Sequence, residues 1–113
     1  MDNNMSNSQW INGVSIIVPT FRRPEGIKNA LESLQVQQSG DKPLEIVVAD
    51  NDPEGSAKAF VTQFSTNCDI PITYINATEP GVANARNEAL KVARGRYLAF
   101  LDDDQLALSL IHI

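Results

Sequence analysis

Short apolar runs alternate with helix-like stretches along this chain, and that alternation limits the fold more than any other feature. "VSIIVPT" (Val14 to Thr20) is β-branched and reads as a buried strand that stops at Pro19. After it, Pro24 suits a first helical turn, Glu25 sits on the positive end, and Ile27, Ala30, Leu31 and Leu34 recur at helical spacing. "SGDKP" breaks that helix, and "LEIVVA" (Leu44 to Ala49) is a second buried strand running into "DNDPEG". Ala57, Phe60, Val61 and Phe64 mark a second helix, and "ITYIN" (Ile72 to Asn76) a third strand. A third helix carries Val82, Ala85, Ala89, Leu90 and Ala93 and ends at Gly95, and "YLAFL" is the fourth strand. Strands that alternate with helices in this way imply an α/β fold, a parallel sheet covered on both faces.

In such sheets ligands bind beyond the carboxyl ends of the strands. "PTF", "DND" and "DDD" all fall at that one edge, each at a different strand exit. Their convergence says more than any one of them alone. Composition narrows the partners further. The chain has 113 residues, room for one domain, and a net charge of −5 that argues against a nucleic-acid backbone or an anionic membrane. Cys68 is the only cysteine, so there is neither a disulfide framework nor a cysteine metal cluster. No apolar run approaches the roughly 20 residues of a membrane span, and the polar start is no signal peptide, which together predict a cytoplasmic protein.

Several chemistries drop out. "DNDPEG" begins like a calcium loop, but the twelfth position, which needs a Glu, holds Val61. No Gly-x-Gly-x-x-Gly follows the first strand and no phosphate loop is present. A hydrolytic triad would need a histidine, and the only one is His112 near the chain end. The remaining candidates each have a structural reading and a functional one. Asp102, Asp103 and Asp104 form either a solvated acidic turn or a set of hard oxygen ligands for Mg²⁺ or Mn²⁺, which would in turn hold a diphosphate. Adjacent carboxylates about 5 Å apart repel by about 3 kcal/mol at an effective dielectric near 20, so a cleft needs a cation to hold them. Asp50 caps the helix after it or accepts hydrogen bonds from a base or ribose. Arg86 makes a surface ion pair or meets phosphate, and Phe21 packs in the core or stacks on a base.

The ordered blocks "VSIIVPTFRRPEGIKNALESL", "EIVVADND", "EPGVANARNEAL" and "GRYLAFLDDD" closely resemble the nucleotide-sugar-binding half of the family 2 glycosyltransferases, from about Val14 to Asp104. That resemblance implies a GT-A fold with a Rossmann-like parallel sheet, and an inverting transfer of a sugar from a nucleoside diphosphate donor to an acceptor hydroxyl. By the same resemblance, Pro19, Thr20 and Phe21 line the base pocket and Asp50 matches the carboxylate that reads the base. Asp52 falls where the family more often has Ser. Arg86 and Asn87 match the family's "ARN" block, with Arg86 facing the nucleotide. Asp102 and Asp104 match the outer acids of the Asp-x-Asp motif and would bind the metal, with Asp103 reaching the ribose or metal. Mg²⁺ or Mn²⁺ would be the cofactor, a UDP-sugar the favoured donor, and a saccharide or lipid-linked molecule the acceptor of the full-length protein.

The domain reading follows. Residues 1–12 are polar and read as a disordered lead-in, 13–104 as the nucleotide-sugar-binding part, and 105–113 as a tail unlike the family's continuation. The expectation is a truncated chain that lacks the general base and transfers nothing alone. The rivals are a non-catalytic nucleotide-sugar-binding module and a sugar-nucleotide nucleotidyltransferase. The second usually opens with a Gly-rich loop, and "PTFRRPEG" is poor in glycine.

Overall fold

A computed structural model of the chain describes residues 13–35, 43–77, 79 and 81–101. The proposed lead-in, the tail and Asp102, Asp103 and Asp104 lie outside the described residues. In chain order the elements are β1 (Val14–Thr20), α1 (Pro24–Gln35), β2 (Leu44–Asp50), α2 (Lys58–Ser65), β3 (Ile72–Asn76), α3 (Val82–Val92) and β4 (Tyr97–Phe100). The strands form one parallel sheet in the order β3-β2-β1-β4. The chain therefore steps outward twice from β1, then returns past it to place β4 on the far side.

Handedness turns that order into layers. Right-handed crossovers put α1 and α2 on one face while the strands advance, and α3 on the other face once the direction reverses. The core divides accordingly. Val14, Ile16, Val18, Ile46 and Val48 pack with Ile27, Ala30, Leu31, Leu34 and Val61 on the α1/α2 face. Ile17, Val47 and Ala49 pack with Ala85 and Ala89 on the α3 face. Successive strand residues point to opposite faces, so even positions of β1 and β2 serve the first layer and odd positions the second. The alanines of α3 bring that helix backbone close to the sheet.

The structure departs from the sequence reading in three places. Strand β1 does not stop at Pro19 but continues to Thr20, whose carbonyl accepts the Asn51 N–H at 2.8 Å. Alternation then turns the backbone of residue 19 toward β4, where the last described rung runs from Leu101 N–H to the Ile17 carbonyl at 3.0 Å. The next rung would need an N–H from residue 19, and proline has none. Pro19 thus ends only the β1–β4 ladder, at the carboxyl edge. Second, the sheet is not covered evenly: β1 and β2 are enclosed, β3 is half-buried, and Leu98 and Phe100 of β4 are more than 40% exposed. Third, Leu90 of α3 is exposed, while Ala85 and Ala89 are the residues of that helix buried against the sheet among those described.

At the amino end of the sheet a buried polar cluster fixes where β4 begins. The Glu45 carboxylate accepts the Ser15 hydroxyl at 2.6 Å, the Arg94 N–H at 2.6 Å and the Arg94 Nε–H at 3.2 Å. Ser15 Oγ in turn accepts the Gly95 N–H at 2.7 Å. Gly95 is required there by space, since a Cβ would lie 2.7 Å from both Ser15 N and Ser15 Oγ. With the α3–β4 turn pinned, Tyr97 N–H meets the Gly13 carbonyl and β4 runs beside β1 to deliver Leu101 at the carboxyl edge.

Candidate functional site

The order β3-β2-β1-β4 creates a switch point between β1 and β4, the place where open parallel sheets take ligands. Pro19 and the exit of β4 flank it, and the side-chain alternation decides which groups can reach it. Pro19 shares the α3 face with Ser15 and Ile17, and Phe100 pairs in register with Ile17 on that face. Arg86 of α3 holds its guanidinium carbon 5.1 Å from the centroid of the Phe100 ring. Asn87 is exposed one residue further along α3. Phe21, just beyond β1, is 50% exposed and does not belong to the core.

Asp50 and Thr20 fall on the other face. Asp50 is fully buried, and its carboxylate accepts the Asp52 N–H at 3.0 Å, the Ala57 N–H at 3.0 Å and the Tyr74 hydroxyl at 2.8 Å. Ala57 occupies the cap position of α2 without a side-chain acceptor of its own, and Asp50 supplies one from the neighbouring strand. In this arrangement the Asp50 oxygens are enclosed and accept from local donors, which matches its reading as a helix cap. The same carboxylate, with burial as the larger cause, pushes the Tyr74 phenol well above its usual range.

Thr20 lines a cavity of about 310 Å³ between the β1–α1 and β2–α2 loops, together with Arg22, Arg23, Asp52 and Ser56. Here Asp52 Oδ1 accepts the Glu54 N–H at 3.0 Å and lies 3.2 Å from Arg22 Nε. The Ser56 hydroxyl, the Glu54 N–H and the Arg22 guanidinium together hold the Asp52 carboxyl below the ordinary carboxylate range. Gly55, between them, has φ of 66°, a left-handed turn that lets the loop fold back on itself.

Asn51 is the residue that the sequence reading passed over. It follows Asp50 by one position and so turns to the α3 side. Its amide donates to the Ala77 carbonyl at 2.7 Å and the Glu79 carbonyl at 2.6 Å, and its oxygen accepts the Gly81 N–H at 3.0 Å. Asn51 thereby ties the exit of β2 to the start of α3, and Gly81, at φ 108°, makes the turn possible. The available signal was its position, one step out of phase with a buried carboxylate. Asn76 adds a second tie, donating to the Asp50 and Asp52 carbonyls at 3.1 and 2.8 Å.

Among the described residues no group of three acidic, histidine or cysteine side chains is placed to hold a metal ion. The expected metal ligands Asp102 and Asp104, with Asp103 between them, lie outside the described residues. Leu101, the last described residue, is buried where β4 leaves the sheet, beside the Ile17 carbonyl. Three carboxylates directly after that point fit a hard divalent cation in donor type. No helix among the described residues is long and apolar enough to cross a membrane.

Comparison with known proteins bears on the family and the fold. The family model "Glycosyl transferase family 2" matches residues 15–108. Succinoglycan biosynthesis protein ExoM of Rhizobium meliloti is 38% identical over 93 residues, which are 81% of this chain and 30% of that protein. An Escherichia coli UDP-Glc:alpha-D-GlcNAc-diphosphoundecaprenol beta-1,3-glucosyltransferase, WfgD, is 36% identical over 82% of this chain and 35% of its own length. Among solved structures, the mannosyltransferase PcManGT from Pyrobaculum calidifontis, in complex with GDP-Man and Mn²⁺, superposes with a TM-score of 0.72. It is 30% identical, over 88% of this chain and 30% of that one. S. aureus TarS in complex with UDP-GlcNAc gives a TM-score of 0.61 at 28% identity, over 81% of this chain and 26% of its own. The chain thus spans about a third or less of the length of these relatives.

Proposed function

Because the chain belongs to glycosyltransferase family 2, with a GT-A-type α/β sheet, we propose that it is the donor-binding part of an inverting transferase that moves a sugar from a nucleoside diphosphate to an acceptor hydroxyl. The observation that carries this reading is the switch point. Pro19 and Phe21 stand at the exit of β1, Arg86 stacks on Phe100 of the neighbouring β4, and Asp102, Asp103 and Asp104 follow β4 in sequence. Phe21 offers an apolar face to a planar base. Arg86, backed by Phe100, offers a fork matched to phosphate oxygens.

Asp102 and Asp104 would hold Mg²⁺ or Mn²⁺, with Asp103 toward the ribose or the metal. The bound ion would neutralise charge on the departing diphosphate. PcManGT, solved with GDP-Man and Mn²⁺, supports divalent-metal use in this fold. The base is less narrowly indicated: WfgD is named for UDP-Glc and TarS was solved with UDP-GlcNAc, whereas PcManGT holds GDP-Man. UDP is the first ligand to test, and a saccharide or a lipid-linked sugar the acceptor to pair with the full-length protein.

Neither Asp50 nor Asp52 is placed to take a proton from an acceptor, since both spend their oxygens on neighbouring donors. We assign the described residues to donor binding and expect a general base from outside them. Calorimetry with UDP and GDP, with Mn²⁺ and with a chelator, tests the reading. Metal-dependent binding that falls on Arg86→Ala is expected. Equal binding in the chelator would remove the metal role, and an absence of binding to either nucleotide would remove the donor site.

A further inference from the structure

Arg22 is held in an unusual way. It is the one described non-glycine residue with positive φ, at 54°. A side chain is kept in the left-handed region only where its surroundings over-determine it. What fixes Arg22 is Asp52, a carboxylate only 2% exposed whose Oδ1 lies 3.2 Å from Arg22 Nε. Asp52 is itself immobilised by the Glu54 N–H at 3.0 Å and by Asn76, which grips its carbonyl at 2.8 Å. The guanidinium so anchored lies over the ring of its neighbour Phe21, 5.1 Å from the centroid. Phe21 nevertheless keeps 50% of its surface exposed.

From this chain of contacts we propose that Asp52 and Arg22 are positioning residues that set Phe21 as a stacking platform for the planar base of the nucleotide donor. The inference rests on the donor-binding reading above and adds to it the device that holds the platform. A phenyl ring at a loop tip would otherwise sample several rotamers and lose that freedom on binding. Backing one face with a pinned guanidinium meets that loss in advance and leaves the other face for the base. Arginine suits the task because its planar, delocalised cation both stacks and donates from Nε, which lysine cannot do. Asp52 acts through Arg22 and need not touch ligand.

Calorimetry on the 113-residue chain with Mn²⁺ compares UDP, GDP and inorganic pyrophosphate for wild type, Asp52→Asn and Arg22→Lys. Asp52→Asn keeps Oδ1 for the Glu54 N–H and reduces the charged contact of that same atom with Arg22 to a neutral hydrogen bond. Arg22→Lys keeps the charge, removes the planar backing, and alters a side chain that is 56% exposed, where folding is little disturbed. Both variants should bind the preferred nucleotide roughly 3- to 10-fold more weakly, the cost of ordering one freed side chain, with pyrophosphate affinity unchanged. In the NMR spectrum of the unliganded chain, the Arg22 Nε–H signal should be protected in wild type and exchange faster in Asp52→Asn. Equal nucleotide affinity in all three proteins would overturn the positioning role alone. A parallel loss of pyrophosphate binding would overturn it in favour of a direct phosphate contact. Failure of the wild type to bind any nucleotide would overturn the donor-binding reading, and the platform with it.

Discussion

Replacing Asp50 separates two readings of the same residue. In the structure its carboxylate is fully buried and receives three hydrogen bonds, from Asp52 N–H and Ala57 N–H at 3.0 Å and from the Tyr74 hydroxyl at 2.8 Å. Asp50→Ala leaves two buried backbone donors without an acceptor, while the Tyr74 hydroxyl, on a half-buried ring, can turn toward water. An unsatisfied buried donor costs about 1–3 kcal/mol, so the loss should be about 2–6 kcal/mol. A domain of this size has only about 5–15 kcal/mol in total. Urea unfolding followed by far-UV circular dichroism should show the midpoint lowered by about 1 M or more, given slopes of about 1–3 kcal/mol/M. Asp50→Asn is the sharper variant. If its oxygen keeps the Ala57 and Tyr74 donors, its NH₂ meets the Asp52 N–H donor to donor, so about 1–3 kcal/mol should still be lost. Nucleotide affinity of the folded fraction should be unchanged. An Asp50→Asn protein that unfolds at the wild-type urea concentration but binds nucleotide at least roughly tenfold more weakly, about 1.4 kcal/mol, would refute the assignment. Asp50 would then be a ligand contact after all.

Two further outcomes follow from the same contacts. Gly95→Ala should destabilise the chain by about 1–3 kcal/mol through overpacking, because the new Cβ would lie 2.7 Å from Ser15 N; calorimetric Tm should fall by about 4–8 °C per kcal/mol. The Tyr74 phenol is pushed up by burial and by Asp50, so the fold favours its protonated form. Its contribution is complete below the ordinary phenol pKa of about 10 and is lost as pH rises above that value. Tyr74→Phe should remove this alkaline loss, as read from urea midpoints across that pH range.

Much of the fold could be read from the chain because its signals are local and repeated. Ile27, Ala30, Leu31 and Leu34 lie at the spacing of a buried helical stripe, and all are buried. The β-branched runs of β1 and β2 are enclosed on both faces as expected. What local pattern could not supply was strand order, which puts β4 beside β1 and makes β3 and β4 the outer strands among the described residues. An apolar run such as "YLAF" looks the same whether a neighbour covers it or not, so the exposure of Leu98 and Phe100 had no sequence signal. The Pro19 misreading has a similar origin. Proline in sequence signals the end of a strand, but in a central strand it removes only the bond on the side its N–H would face.

The site was legible by position and less so by role, and the reason is the period of a strand. "DND" marks an edge correctly, yet three adjacent polar residues at a strand exit cannot all face one ligand, because successive side chains alternate. Asp50 turns to the α1/α2 face, where the start of α2 and Tyr74 consume its oxygens. Asn51 turns to the α3 face and fastens the loop before Arg86. Asp52 turns back into the cavity and grips Arg22. The charged residue that draws attention in the sequence is thus enclosed against α2 and Tyr74, and the neutral residue beside it ties the exit of β2 to the start of α3.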